Sequence, residues 1–176
     1  MKKKKIMITG AGSGLGKGTA IGLAKEGHTV IAATHTWEQM SRFIEETKDK
    51  EYEENLEFIK LDILDMMDCE KAWEYDIDIL VNNAGIGHTG PIAEIPVGLI
   101  REVMETNVFS TLEFSQPIIR NMVEKGKGKI VFLSSIAGLA THPFLGPYNA
   151  SKHALEVIAQ CLRDELQPIG ITVKSQ

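Results

Sequence analysis

A tyrosine and a lysine towards the carboxyl end of the chain are spaced for proton chemistry. Tyr148 and Lys152 are four residues apart, so on a helix their side chains would project from the same face, one turn apart. A free tyrosine has a pKa near ~10 and keeps its proton at neutral pH. A neighbouring ammonium group favours the phenolate, which would let the tyrosine give and take a proton. The pair therefore predicts a general acid/base.

A glycine-rich octapeptide near the amino terminus is typical of a phosphate-binding loop. Residues 9–16 read TGAGSGLG, after a segment that predicts a strand and before one that predicts a helix. In that setting glycines let the backbone turn tightly and approach a pyrophosphate, and the helix N-terminus offers free N–H groups. The sequence thus predicts a dinucleotide site, whose candidate ligands are Gly10, Gly12, Ser13, Gly14, Leu15 and Gly16.

Segments rich in apolar and β-branched residues alternate with helical patterns along the chain. Strands are predicted at residues 6–9, 29–33, 57–61, 77–82, 129–134 and 171–174, and helices at 15–26, 36–52, 65–75, 96–125 and 148–167. We expect the helix at 96–125 to be broken or bent near Pro117. Nearly continuous apolar strands suit a parallel sheet that is buried on both faces. The pattern predicts a Rossmann-type doubly wound α/β fold with three layers, in a single domain over residues 1–176.

Composition argues against several classes of protein. A chain of 176 residues, 43% of them hydrophobic, can bury a sizeable core, and a net charge of -5 argues against nucleic-acid binding. We find no apolar run that could span a membrane, no signal-peptide pattern and too few cysteines for a disulfide framework, and therefore expect a cytoplasmic protein. No metal-ligand spacing and no nucleophile elbow occur.

Three motifs together resemble the short-chain dehydrogenase/reductase family. They are TGxxxGxG at residues 9–16, Asn82-Asn83-Ala84-Gly85 after the fourth predicted strand, and YxxxK at residues 148–152, and their order and spacing are those of the family. The resemblance extends from Ile6 to about Val173. It implies an NAD(P)(H)-dependent oxidoreductase that interconverts an alcohol and a ketone or aldehyde by hydride transfer, as a homodimer or homotetramer.

The resemblance also implies roles for single residues. Tyr148 would be the general acid/base, and Lys152 would also bind the nicotinamide ribose. Ser135, thirteen residues before Tyr148, would polarise the substrate oxygen, whereas the adjacent Ser134 should point to the other side. Asn107 would bend its helix and hold a water that relays protons towards the lysine. Further cofactor contacts would come from Asp62, Ile63, Asn83, Ala84 and Gly85.

Two of these assignments have structural alternatives. Asp62 would contact the adenine amino group, but it could also cap the helix that follows. Asn83 and its neighbours could either brace the sheet or touch the ribose.

The choice of dinucleotide depends on the end of the second predicted strand. An acidic residue there would bind the 2′-hydroxyl of NAD, and a basic one suits the 2′-phosphate of NADP. The sequence has Thr34, which could donate a hydrogen bond to a phosphate, and His35, which stands where many NADP enzymes of the family carry arginine. Histidine is only partly charged near neutrality, and Ser13 is neutral. We expect NADP(H) to be preferred over NAD(H).

The chain departs from the family pattern in two places. The stretch between Asp62 and Asp78 is short, and family members usually continue beyond the sixth strand. We therefore expect the 176 residues to be part of a longer enzyme; the alternative is a short protein with a half-open site that binds nucleotide but turns over poorly. The mostly apolar segment 136–147 favours a moderately hydrophobic substrate. Two other functions stay open: a regulatory nucleotide-binding protein without turnover, and an NAD(P)-dependent epimerase or dehydratase.

Overall fold

A computed structural model describes residues 2–176 of the chain. Two compact units divide after Ala84, and we describe each by itself. The first unit contains β1 (Lys5–Ile8), α1 (Gly14–Lys25), β2 (Thr29–Thr34), α2 (Trp37–Thr47), β3 (Leu56–Lys60), α3 (Met66–Trp73) and β4 (Ile79–Asn82). Its strands are parallel, in the order β3-β2-β1-β4.

The strands of the first unit form because their apolar residues are buried on both faces of the sheet. Met7, Ile8 and Ile31 have no exposed surface. Phe43 of α2 packs edge-to-face on Phe58, with the ring centroids 5.2 Å apart. Burial of this kind stabilises the unit by roughly 25 cal/mol per Å² of apolar surface. The carboxyl ends of these parallel strands meet at one edge of the sheet, where the candidate nucleotide residues lie.

The second unit contains α4 (Val97–Met104), α5 (Thr111–Lys125), β5 (Gly128–Phe132), α6 (Gly146–Leu166) and β6 (Ile171–Ser175). β5 and β6 pair in parallel, with Ile130 opposite Val173. Pro147 occupies the first turn of α6, where its missing N–H group has no intrahelical partner to lose. Among residues 2–176, no helix is long and apolar enough to cross a membrane.

The six predicted strands are confirmed, each to within two residues at either end. The helix predicted at 36–52 is too long, since α2 ends at Thr47. Lys48 is extended, with ψ 139°, and Asp49 adopts a left-handed φ of 59°, so the backbone leaves the helical path there.

The expected break near Pro117 does not occur, because Pro117 lies inside α5. The alternative of a bend there stays a prediction. The buried neighbours Phe114 and Ile118 hold this part of α5 against the core of the unit. The irregularity lies earlier, in a π-helical segment, Glu105–Ser110, between α4 and α5. There the Thr111 hydroxyl donates to the Thr106 carbonyl at 3.0 Å. Such π segments are frequent at functional sites, and this one contains Asn107.

Candidate active site

The glycine loop of the first unit joins β1 to α1 in a conformation that side chains would disturb. Gly10 and Gly14 have left-handed φ values of 65° and 53°. A methyl group on Gly16 would lie 2.6 Å from the Gly10 carbonyl oxygen, and one on Gly12 would lie 2.5 Å from Oε1 of Gln39. At Gly14, by contrast, a methyl group would meet no atom of residues 2–176 within 4 Å. The loop is therefore packed against the unit on one side and open at Gly14.

The amino end of α1 suits a negatively charged ligand. Ser13 is its N-cap, its side chain makes no capping hydrogen bond within the described chain, and the first turn carries no acidic residue. The first N–H groups of a helix lack intrahelical partners and lie at the positive end of its dipole. Leu15, in this turn, is 74% exposed. A phosphate group would fit at this helix end.

Asn83 braces the glycine loop. Its Nδ2 donates to the carbonyls of Thr9 at 2.9 Å and Gly10 at 3.0 Å. The backbone N–H groups of Asn83 and Ala84 both donate to the Thr9 hydroxyl at 3.0 Å. Of the two roles considered for Asn83, these contacts support the brace. Thr9, which the sequence did not single out as a ligand, links the end of β1 to the residues after β4 through these bonds.

Thr34, the last residue of β2, and His35, which follows it, have different surroundings. Thr34 is fully buried, and its hydroxyl donates to the carbonyls of Thr36 at 3.3 Å and Ile59 at 3.5 Å. In this structure the hydroxyl hydrogen is therefore directed at the backbone, and its donation to a phosphate stays a prediction. His35 is exposed, and its Nε2 lies 3.3 Å from Oδ2 of Asp62. Its backbone N–H donates to Oε1 of Gln39 at 3.1 Å, so Gln39, whose role the sequence did not indicate, links His35 to the glycine loop.

Asp62 follows β3 and is held from both sides. Its Oδ1 accepts a hydrogen bond from the Leu64 N–H at 3.0 Å, and its own N–H donates to Oδ2 of Asp68 at 2.9 Å. The cap of α3 is Asp65, which accepts from the Met67 N–H at 2.9 Å. Asp62 is therefore not the cap of α3. Ile63 is buried.

A salt bridge between Lys60 and Asp68 supports this turn. Burial alone would raise the pKa of Asp68, but hydrogen bonds from Lys60 and from the Asp62 N–H keep it below its ordinary value. The hydrogen bond to Asp68 raises the pKa of Lys60. Both groups are therefore charged at neutral pH. The sequence did not suggest this pair, because an i,i+8 spacing across a strand end has no recognisable pattern.

In the second unit, Tyr148 and Lys152 lie on one face of α6, as predicted. The Lys152 Nζ is 5.5 Å from the centroid of the Tyr148 ring and donates to the Leu133 carbonyl at 2.7 Å. Lys152 is only 5% exposed, and this burial lowers the pKa of its ammonium group. A buried positive charge beside the phenol is the arrangement that the acid/base prediction requires.

Asn107 fastens the segment after β4 to α6. Its Oδ1 accepts from the Ile86 N–H at 2.8 Å, and its Nδ2 donates to the Ile86 carbonyl at 2.8 Å and to the Ser151 hydroxyl at 3.0 Å. A methyl group on Gly85 would lie 3.1 Å from the Asn107 Oδ1 and 3.9 Å from the Lys152 Nζ. The structure therefore brings Asn107, Gly85 and Lys152 together.

Gly87 lies beside the phenol ring of Tyr148. A methyl group there would lie 3.3 Å from Cδ2 of Tyr148. A side chain at this position would require the phenol ring to shift by a few tenths of an ångström.

The two serines after β5 have different surroundings. The Ser135 Oγ accepts from the Ala137 N–H at 3.1 Å and caps a short 3₁₀ turn, Ile136–Gly138, so its own hydrogen is left to donate. This turn packs on α6, and a methyl group on Gly138 would lie 3.1 Å from the Lys152 carbonyl. The Ser134 Oγ is buried, faces Gly138, and has no hydrogen-bond partner within residues 2–176.

Comparison with known proteins decides the family. The family model described as short chain dehydrogenase matches residues 4–175, nearly all of the chain. The chain belongs to the short-chain dehydrogenase family.

Individual members of this family can be aligned along almost the whole chain. An uncharacterized oxidoreductase, YusZ of Bacillus subtilis, is 36% identical and covers 97% of this chain. The NADPH-dependent 3-dehydrocapnine reductase of Ornithobacterium rhinotracheale is 32% identical and covers 95%. This chain spans 62% of the length of each of these two relatives.

A solved structure of ElxO with NADP bound superposes on this chain with a TM-score of 0.91. It is 28% identical, and the match covers 98% of this chain and 72% of that one. The predicted Rossmann-type doubly wound α/β fold is thereby confirmed. That residues 1–176 form one domain stays a prediction. No cluster of three or more His, Cys, Asp or Glu side chains suited to a metal ion occurs in the described part of the chain.

Proposed function

We propose that this chain carries the nucleotide-binding and acid/base parts of an NAD(P)(H)-dependent oxidoreductase that interconverts an alcohol and a ketone or aldehyde. The observation that carries the proposal is the group formed by Tyr148 and the buried Lys152 ammonium. In it, a phenol and a positive charge share one face of α6.

The first unit has the features that a dinucleotide needs. The amino-terminal turn of α1 has no acidic residue, and the glycine loop before it is open at Gly14. We propose that the N–H groups from Gly12 to Gly16 bind the pyrophosphate. Asp62 would accept a hydrogen bond from the adenine amino group. When bound, the reduced nicotinamide supplies the hydride that the carbonyl carbon accepts.

Tyr148 would complete the reduction by donating its phenolic proton to the carbonyl oxygen as negative charge develops there. Ser135 would stabilise the same oxygen with the hydroxyl hydrogen that its capping role leaves free. The Lys152 ammonium would stabilise the phenolate that remains on Tyr148. Asn107 would act as a positioning residue, because its amide is used to hold Ile86 and Ser151. Oxidation of an alcohol runs through the same groups in reverse.

We propose NADP(H) as the preferred cofactor and a substrate that is partly hydrocarbon. A relative described as NADPH-dependent and a solved relative with NADP bound support the cofactor. A pocket of about 650 Å³ in the second unit supports the substrate class, since its walls include Pro91, Ile92, Pro143 and Phe144. A homodimer or homotetramer and a cytoplasmic location remain predictions from the sequence.

The test is hydride transfer, followed as loss of NAD(P)H absorbance with a panel of ketones and aldehydes. Tyr148→Phe should lower turnover by about 10²–10⁴-fold and leave the Kd of the nucleotide within about twofold. The matched control is Tyr75→Phe, which removes a hydroxyl in the first unit and keeps the ring that Lys5 contacts. That variant should keep full activity.

Other outcomes would favour the alternatives. Nucleotide binding without turnover of any substrate would favour a regulatory protein. Conversion of a substrate with no net change in the cofactor would favour an epimerase or dehydratase. Full activity of Tyr148→Phe would contradict the proposed role of the phenol.

A further inference from the structure

Phe144, in the loop before α6, has a strained backbone and an exposed aromatic ring. Its φ of 67° lies in the left-handed region, where a bulky residue is rarely found. The other non-glycine residue of the described chain with a left-handed φ is Asp49, and aspartate tolerates that region better. The Phe144 ring is 63% exposed, so its packing within the second unit offsets little of the strain. A glycine would adopt this backbone without strain.

Hydrogen bonds hold the backbone on both sides of Phe144. Its own carbonyl accepts from the Gly90 N–H at 2.9 Å. The carbonyl of His142, two residues before it, accepts from Nδ2 of Asn149 at 3.0 Å, and Asn149 is buried on α6. The loop is therefore fixed by partners in the rest of the second unit. These bonds, and not contacts of the ring itself, set the position of the Phe144 side chain.

The ring borders the cavity of about 650 Å³ in the second unit. The apolar part of the cavity wall includes Pro91, Ile92, Pro143 and Phe144. Both segments that form this wall adjoin the phenol of Tyr148. A methyl group on Gly87 would lie 3.3 Å from Cδ2 of that ring. The cavity residues Gly146 and Asn149 lie on either side of Tyr148 in the sequence of α6. A substrate with its carbonyl at Tyr148 can therefore extend along the wall that contains Phe144.

We propose that Phe144 determines substrate specificity, by stacking its ring on a planar aromatic group of the carbonyl substrate. The inference rests on the proposed function, in which Tyr148 protonates the carbonyl oxygen. Aromatic rings attract each other in offset-stacked or edge-to-face arrangements, beyond the gain from buried area. A saturated ring of the same size lacks the flat face that this contact uses. Because the backbone of Phe144 is held before the substrate arrives, the contact requires little ordering of the loop.

The experiment compares benzylacetone with the ketone in which cyclohexyl replaces its phenyl ring. In both ketones saturated carbons separate the ring from the carbonyl group, so the carbonyl groups have similar reactivity. The value of kcat/KM is measured for each ketone with NADPH. The ratio of the phenyl to the cyclohexyl value should be about threefold to tenfold larger for the unaltered chain than for Phe144→Leu, which is the gain expected for one aromatic pair.

Three further variants separate a role in substrate binding from a role in the fold. Phe144→Tyr keeps the ring and should keep the ratio of the unaltered chain. Phe144→Gly removes both the ring and the strain, so it should show the ratio of Phe144→Leu. It should melt no lower than the unaltered chain, and up to about 4 °C higher. Phe109→Leu is the matched control, because Phe109 is also exposed but lies outside the cavity wall. It should leave the ratio unchanged.

The outcomes distinguish this inference from the proposed function. If both ketones are reduced and the ratio is the same for the unaltered chain and Phe144→Leu, the inference is wrong and the proposed function stands. A lower melting temperature of Phe144→Gly would also contradict the inference, since the ring would then support the fold. Reduction of other ketones but not of benzylacetone would overturn the inference alone. If the unaltered chain reduces no ketone, the proposed function fails, and the inference fails with it.

Discussion

Gly16 provides a sharp test of the glycine loop, because two glycines of α1 have opposite surroundings. A methyl group at Gly16 would lie 2.6 Å from the Gly10 carbonyl oxygen and closer still to the side-chain nitrogen of Asn83. Moving Asn83 would break its hydrogen bonds to Thr9 and Gly10, at about 1 kcal/mol each. Overpacking adds about 1–3 kcal/mol, and the better helix propensity of alanine returns about 1 kcal/mol. Gly16→Ala should therefore lower the free energy of unfolding by about 2–4 kcal/mol.

The matched control is Gly18→Ala, two residues along the same helix. A methyl group there would meet no atom of residues 2–176 within 4 Å, so the variant should be more stable by about 0.5–1 kcal/mol. Urea unfolding can be followed by tryptophan fluorescence, since both tryptophans, Trp37 and Trp73, lie in the first unit. Nucleotide affinity should fall only in Gly16→Ala. Equal stability of the two variants would refute the described packing of the loop.

Three further substitutions test single contacts. Asp68→Asn should lower the free energy of unfolding by about 1–2 kcal/mol at neutral pH, a value between those of exposed and buried ion pairs. The pKa of Asp68 is held below 3.8, so this loss of stability should disappear as the pH falls through that pKa. A loss that persists in urea unfolding at acid pH would contradict the pairing with Lys60. Asn107→Ala should lower the free energy of unfolding by about 2–4 kcal/mol, because it removes the hydrogen bonds to the N–H and carbonyl of Ile86. An unchanged thermal unfolding temperature would contradict these contacts. Thr34→Val should leave the Kd of NADPH within about twofold, whereas a tenfold loss in calorimetry would show that the hydroxyl binds the nucleotide.

The parts of the fold that follow from local sequence were predictable. Strands buried on both faces need nearly continuous apolar runs, so all six could be located from their apolar and β-branched residues. The Tyr148–Lys152 pair was predictable because four residues make about one helical turn. The boundary between α4 and α5 was harder to predict. Whether the α-helical pattern is interrupted at Pro117 or at a π segment depends on what the buried face of the helix packs against, and that is a tertiary property.

The contacts that could not be predicted join residues that are distant in the chain or depend on a side-chain rotamer. The Thr34 hydroxyl could point to a ligand or to the backbone, and only the packing of β2 beside β3 decides between them. Gln39 is an ordinary surface residue in the sequence, yet it covers Gly12 and holds His35. The pairing of Lys60 with Asp68 likewise depends on how α3 follows the end of β3.

The most direct test of the central claim, that Tyr148 supplies the proton for a hydride transfer, uses NADPH with deuterium at the hydride-donating carbon. With a ketone that the protein reduces, mass spectrometry of the alcohol should show one deuterium per molecule for the unaltered chain and for Tyr75→Phe. Tyr148→Phe should bind NADPH with a similar Kd and yield almost no labelled alcohol. Labelled alcohol formed by Tyr148→Phe at the rate of the unaltered chain would contradict the account.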